Sequence, residues 1–156
     1  MYLVSACLLG VNCRYDGGCF NNESLLELTG RGQAIPVCPE QLGGCKTPRL
    51  PCEISGGSGG DVLDGKCRVM SVKGEDKTDN YISGAMETLK IAKACGVKKA
   101  ILKARSPSCG CGKIYDGTFS GKTVCGNGVT AELLIRIGIE VMSDEDFGEQ
   151  RRGDDI

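Results

Sequence analysis

Three cysteines of this chain stand where a short apolar run gives way to a loop. They are Cys7 in Val4-Ser5-Ala6-Cys7-Leu8-Leu9-Gly10, Cys38 in Pro36-Val37-Cys38-Pro39-Glu40, and Cys109 in Ser106-Pro107-Ser108-Cys109-Gly110. In an open α/β sheet the carboxyl ends of the strands form the ligand crevice, so these thiols are placed to converge there. Soft sulfur donors with no imidazole beside them suit an iron–sulfur cluster first and zinc second. Three protein ligands on a four-iron cubane would leave one iron open to substrate. Free thiols are mostly protonated at neutral pH, with a pKa of ~8.5, and a metal centre would draw them to thiolate.

Histidine is absent. That removes Ser–His and Cys–His catalytic pairs, imidazole zinc sites and His-ligated haem. Proton transfer must then fall to carboxylates, thiols, hydroxyls or Lys and Arg. Glu40, two residues beyond Cys38, is placed to act as general acid or base; capping a turn or helix is the structural alternative. Ser106 and Ser108 flank Pro107 just before Cys109, as substrate-orienting hydroxyls or as turn residues. Arg14, Arg49, Lys103 and Arg105 surround the same loops. Cations there would offset the negative charge of a thiolate-bound cluster and attract an anionic substrate, whereas most surface charges are merely solvated.

The total of eleven cysteines is odd, so they cannot close completely into intramolecular disulfides. Cys67, in a strand-like run, and Cys95, at a helix end, read as small buried hydrophobes. Cys111 could replace Cys109 as a ligand. No Cys-x-x-Cys pair occurs, which speaks against a zinc ribbon or a redox dithiol. The run from Gly60 to Lys66 approaches a phosphate-binding loop, but Cys67 stands where Ser or Thr is required and a strand follows. It reads as a glycine-rich turn.

The elements that must position these residues are legible in the punctuation. Helices are expected over 22–28, with Asn22 as cap; over 78–94, with Gly96 in the terminating position; and over 127–137, ending at Gly138. The middle one carries Ile82, Ala85, Met86, Leu89 and Ala92 on one face. Short apolar runs at 2–6, 34–37, 67–72, 100–102 and 139–142 alternate with them as strands. Helices interleaved with apolar strands argue for a single-domain α/β fold, a Rossmann-like parallel sheet flanked by helices. Residues 43–66, rich in Gly, Pro and Ser, read as a long loop over the crevice. The domain is expected over 1–146, with 147–156 a solvated C-terminal tail. Tyr15-Asp16-Gly17 and Tyr115-Asp116-Gly117 read as one turn chemistry used twice.

A chain of 156 residues with net charge −1 is large enough for a single core, and its electrostatics call for neither nucleic acid nor a membrane surface. Seven aromatics and no tryptophan make a poor stacking platform for single strands. No apolar run approaches a membrane span, and the N-terminus has no basic region followed by an apolar stretch. The cytoplasm is the expected compartment.

Taken together, Ser5-Ala6-Cys7-Leu8-Leu9-Gly10, Arg14-Tyr15-Asp16-Gly17-Gly18, Val37-Cys38-Pro39-Glu40, Thr47-Pro48-Arg49, Ser106-Pro107-Ser108-Cys109-Gly110 and Ile114-Tyr115-Asp116-Gly117-Thr118-Phe119 resemble the bacterial thiouracil desulfidases, from Met1 to about Asp146. The resemblance implies a 4Fe-4S cluster held by Cys7, Cys38 and Cys109. It implies non-redox removal of sulfur from thiouracil or a thiouridine nucleotide, giving the oxo base and hydrosulfide. Glu40 would move protons and Ser106 or Ser108 would orient the base, with Arg14, Asp16, Arg49 and Lys103 as the substrate-binding set. The partner is then a small thiolated pyrimidine. Cys13, Cys19, Cys45, Cys52, Cys111 and Cys125 exceed the three motif cysteines. A fourth thiolate on the cluster would close the substrate position, and the second reading is therefore a non-catalytic iron–sulfur or metal sensor.

Overall fold

The structure, a computed structural model, describes residues 1–154. Four parallel strands form the central sheet: β1 (Tyr2–Ser5), β2 (Ala34–Val37), β5 (Lys99–Leu102) and β8 (Glu140–Ser143), in the spatial order β2-β1-β5-β8. Their helices are α1 (Glu23–Gly30), α2 (Pro39–Leu42), α4 (Thr78–Ala94), α5 (Val129–Arg136) and α6 (Asp144–Asp154). Strand direction alternates the side chains between two apolar layers. Leu3, Ala100 and Leu102 pack with Leu89 and Ala92 of α4 and Leu134 of α5. Val4 and Ile101 face the other way, onto Leu25 of α1 and Phe147 of α6. The parallel sheet is thus covered on both faces, as crossover helices require.

A smaller subassembly stands against this sandwich. β3 (Cys52–Ser55) pairs antiparallel with β4 (Arg68–Ser71), joined through α3 (Gly59–Leu63), and β6 (Lys113–Tyr115) pairs antiparallel with β7 (Thr123–Cys125). Ile54, Val62, Val69 and Ile114 form a third core with Tyr81, Ala85 and Val129. The run expected as a strand at 67–72 therefore belongs to this pair and not to the parallel sheet. The expected loop over 43–66 also contains a strand and a helix. A capping box announces α3: Asp61 accepts from the Ser58 backbone N–H at 2.9 Å. Gly59 and Gly60 behind it hide the helix from a propensity reading.

The expected tail is corrected in the same way. Residues 144–154 are helical. Ser143 Oγ accepts from the Asp146 N–H at 3.1 Å, three acidic residues occupy the positive end of the helix dipole, and Phe147 packs on the core. Residues 155 and 156 lie outside the described residues. Cys95 is exposed and Cys67 half-buried, so neither is the core hydrophobe expected. Both Tyr-Asp-Gly segments are turns closed by the aspartate, which accepts from the amide two residues on, Gly18 and Thr118, at 2.9 Å each.

The long helix α4 buries Tyr81, Ala85, Thr88, Leu89 and Ala92 and leaves Met86 exposed, a face rotated toward Tyr81 from the one expected. Its Gly84 and Gly43 after α2 explain the rotation. A Cβ on Gly84 would stand 2.0 Å from the Pro39 carbonyl oxygen, and one on Gly43 would stand 2.0 Å from that of Asn80. Only paired glycines let α2 lie this close, with Asn80 Nδ2 donating to the Gly43 carbonyl at 2.8 Å. Gly84→Ala should therefore push α2 off α4 and cost about 1–3 kcal/mol, read by chemical denaturation. The fluorescence of Tyr81, buried at that contact, should change with it.

Candidate metal centre and active site

The sheet order places β1 between β2 and β5, so successive crossovers leave β1 in opposite directions and a crevice opens at its carboxyl end. The register is level: Ser5 stands beside Val37, and Val4 beside Ile101. Cys7 follows β1 in a single 3-10 turn, Cys38 caps α2 directly after β2, and Cys109 sits in the loop after β5. All three line one cavity of about 600 Å³. The convergence read from the strand ends is what the structure contains.

Each cysteine loop is held by its own bonds. The Ser106 oxygen accepts from the amides of Ser108 and Cys109 at 3.1 and 3.0 Å. The carbonyls of Pro107 and Ser108 take the first free amides of α5, those of Val129, Thr130 and Ala131, which a helix start must place somewhere. Ser5 Oγ accepts from the Lys103 amide at 2.9 Å, tying the ends of β1 and β5. Pro39 at the first position of α2 fixes the helix entry just after Cys38.

A fourth thiol joins the three. Cys13 is buried, lines the cavity, and neighbours the thiols of both Cys7 and Cys38. Its carbonyl receives the Cys38 thiol at 3.8 Å. The hydrogen bond with Cys38 favours the Cys13 thiolate, but the bond with Cys7, burial and the Cys7 charge outweigh it and push Cys13 up to about 11. Cys38 is raised first by its bond to Cys13 and then by burial. Burial pushes Cys109 up to about 12, against the bond from Ser5. The metal-free pocket thus favours neutral thiols, and a cationic centre would reverse that preference. Among the described residues no three Cys, Asp or Glu groups close on a single ion position. Cys7, Cys13, Cys38 and Cys109 all line the one cavity. Cys111 turns elsewhere, to the Val141 carbonyl at 3.4 Å.

Glu40 reaches the cavity from the first turn of α2. Its Oε1 accepts from Tyr81 Oη at 2.8 Å and its Oε2 from Arg49 Nε at 2.8 Å, with Arg49 Nη2 on the same oxygen. Burial first, and the Glu40 charge next, push the Tyr81 hydroxyl well up, so it remains a donor. Arg49 was expected to bind substrate, and its geometry corrects that role. A guanidinium has five N–H donors, and here Nη2 also serves the Cys13 carbonyl at 2.8 Å while Nη1 serves the Lys46 carbonyl and Thr47 Oγ1, each at 3.0 Å. Every donor is spent on the protein.

Two other expected residues also change role. Asp16 does not line the cavity; it pairs with Arg14 at 3.2 Å and takes the Gly18 amide, and these two bonds hold its carboxyl below the usual range. Ser108 is buried with its hydroxyl on Thr130 Oγ1 at 2.8 Å and is likewise off the cavity lining. Lys103 lines the cavity but shares its ammonium with Asp144 at 3.4 Å. Arg14 stays at the rim, 4.5 Å from the Phe20 ring centroid. Phe20, Tyr81, Glu53 and Phe119 were not picked out by sequence reasoning. Tyr81 carried a signal, since a tyrosine within an apolar helix face must find a partner for its hydroxyl.

A model of the 2-thiouracil desulfurase family matches residues 2–146. The chain belongs to this family. A relative from Bacillus subtilis strain 168, named uncharacterized protein YbbK, is 48% identical over 149 residues, 96% of this chain and 99% of the relative. A solved structure described as the 4Fe-4S-dependent thiouracil desulfidase TudS matches at a TM-score of 0.84 and 40% identity, covering 95% of this chain and 93% of that one. The resemblance drawn from the motifs is thereby borne out.

Two outcomes follow for the metal-free, reduced protein. Arg49→Ala strips a buried carboxylate of its counter-charge and should cost about 3–5 kcal/mol, while Arg49→Lys, lacking the planar fork, should recover only part of it; denaturant titration measures both. A thiol whose folded pKa is raised stabilises the fold below its ordinary value and loses that contribution as pH climbs through the folded one. Thermal melts should therefore fall between about pH 9 and about pH 12, the span of the Cys109 shift, and Cys109→Ser should flatten the fall.

Proposed function

We propose that the chain is a cluster-dependent desulfidase that converts a thiolated uracil and water to the oxo base and hydrosulfide, with no net electron transfer. The observation that carries this reading is the meeting of Cys7, Cys38 and Cys109 on one cavity that Glu40 also lines. These three thiolates would hold a 4Fe-4S cluster. When bound, the cluster supplies a Lewis-acidic iron to which the departing sulfur can bind.

The chain's own residues do the rest. Arg49 and Tyr81 fix the Glu40 carboxylate, and its Oε1, with only Tyr81 on it, keeps a lone pair for a proton. Glu40 takes one proton from the water whose oxygen becomes the new carbonyl and returns it to the departing sulfur to give hydrosulfide, and the water's second proton is released to solvent as the carbonyl forms. Ser106 accepts two amides, which occupy both lone pairs of its oxygen, so its O–H is left to donate to the base. Ser108, committed to Thr130, has no part in orienting it. The rim cations Arg14 and Lys103 suit a substrate carrying negative charge, such as a thiouridine nucleotide, and both lie against the Phe20 ring.

Cys13 is the observation that favours the second reading, a non-catalytic sensor in which a fourth thiolate closes the cluster. Anaerobic reconstitution separates the two. The desulfidase reading expects a four-iron spectrum unchanged by Cys13→Ser, iron retention lost in Cys7→Ser, Cys38→Ser and Cys109→Ser, and sulfide released as thiouracil loses its thiocarbonyl absorption. Loaded protein that leaves both thiouracil and thiouridine monophosphate intact would falsify it. Glu40→Gln should keep the iron while turnover falls at least about 100-fold.

A further inference from the structure

A second carboxylate faces this cavity without an assigned role. Glu53, on β3, is 8% exposed, and among the described residues it has no Lys or Arg partner. Burying a carboxylate without a counter-ion is costly unless hydrogen bonds replace the lost water. One oxygen is provided for: Glu53 Oε1 accepts from the backbone N–H of Gly117 at 3.0 Å and of Phe119 at 3.2 Å. The other is not. Oε2 receives no hydrogen bond from a described residue, yet no buried side-chain oxygen among those residues lacks a partner. Oε2 therefore keeps some accessible surface, and Glu53 lines the cavity.

The loop that Oε1 holds is built for close approach. Gly117 has φ of +91°, and a Cβ there would stand 2.5 Å from the Ile54 carbonyl oxygen. Phe119 is held at φ of 56°, a left-handed conformation that non-glycine residues rarely adopt. Glu53 thus fixes the backbone of Phe119, which lines the same cavity, while keeping one acceptor unused. Strain and an under-used buried acceptor together mark a ligand contact.

We infer that Glu53 is the recognition residue for the pyrimidine ring: Oε2 accepts the N3–H of the substrate, and Phe119, positioned by Oε1, covers the face of the ring. This inference rests on the desulfidase reading for the identity of the ring. N3–H is the donor that chemistry singles out. It adjoins the thiocarbonyl in both 2- and 4-thiouracil, and it survives when N1 carries ribose. An acceptor built for that N–H also rejects ring analogues that lack it, because the carboxylate would then be buried unpaired.

Glu53→Gln tests this in the reconstituted holoenzyme. The amide oxygen can still hold the Gly117 and Phe119 amides, but the amide NH₂ then meets the substrate donor. The expected result is a KM for 2-thiouracil raised roughly 10- to 100-fold with kcat within about threefold, and the same weakening in the Kd for uracil by calorimetry. Wild type should prefer 2-thiouracil over 3-methyl-2-thiouracil, and Glu53→Gln should erase that preference, which a purely structural role would not do. Unchanged KM and Kd, or a preference that survives the substitution, overturns the inference while leaving the desulfidase reading intact. If wild type releases no sulfide, the desulfidase reading falls, and the calorimetric arm alone decides Glu53: equal binding by both proteins, or binding by neither, overturns its role.

Discussion

The site depends on one saturated guanidinium. Arg49 gives five hydrogen bonds to three separate segments: the carboxylate of Glu40, the carbonyl of Cys13 between two cysteine loops, and the turn at Lys46 and Thr47. A buried charge can be kept only if paired and hydrogen-bonded, and each partner here needs the others in place. The planar fork thus does for the cavity wall what a strand ladder does for a sheet. It also explains why Glu40 can stay deep in the site: Arg49 and Tyr81 hold it from two sides, and the Gly43–Gly84 contact brings Tyr81 within reach.

Most of the central architecture was legible in the sequence because its signals are local. α4 runs from Thr78 to Ala94, ending where Gly96 places it, and Ala34–Val37 is a strand end to end. Three cysteines at strand ends could be brought together from the sequence because parallel order makes neighbours of those ends. The β3–β4 pair was less legible. Cys52-Glu53-Ile54-Ser55 places a carboxylate in a buried position, and a pattern reading assigns such residues to a loop. Two glycines concealed α3, and an acidic, charged composition concealed α6, although a serine–aspartate pair opens each: a capping box at Ser58 and Asp61, and the Ser143 hydroxyl on the Asp146 amide and carboxylate.

The errors in the site share one cause. Sequence places Asp16, Arg49 and Ser108 near the cysteines, and the structure does keep them near. What it cannot convey is how each polar atom is spent. Arg49 and Ser108 are consumed within the fold and Asp16 on its neighbour Arg14, whereas Glu53, which no motif marks, retains an unused oxygen. A tally of donors and acceptors separates substrate contacts from scaffold in a way that proximity does not.

The three motif cysteines sit on loops leaving three adjacent strands, and those strands are drawn from the beginning, the first quarter and the second half of the chain. No fragment of the polypeptide holds them together. Metal uptake must then wait until the long-range pairing of β2, β1 and β5 is complete, the slowest kind of contact for a chain to make. The brown colour of an iron-loaded sample would consequently double as a gauge of the assembled tertiary structure, and bleaching would track the opening of the sheet as faithfully as the attack of oxygen.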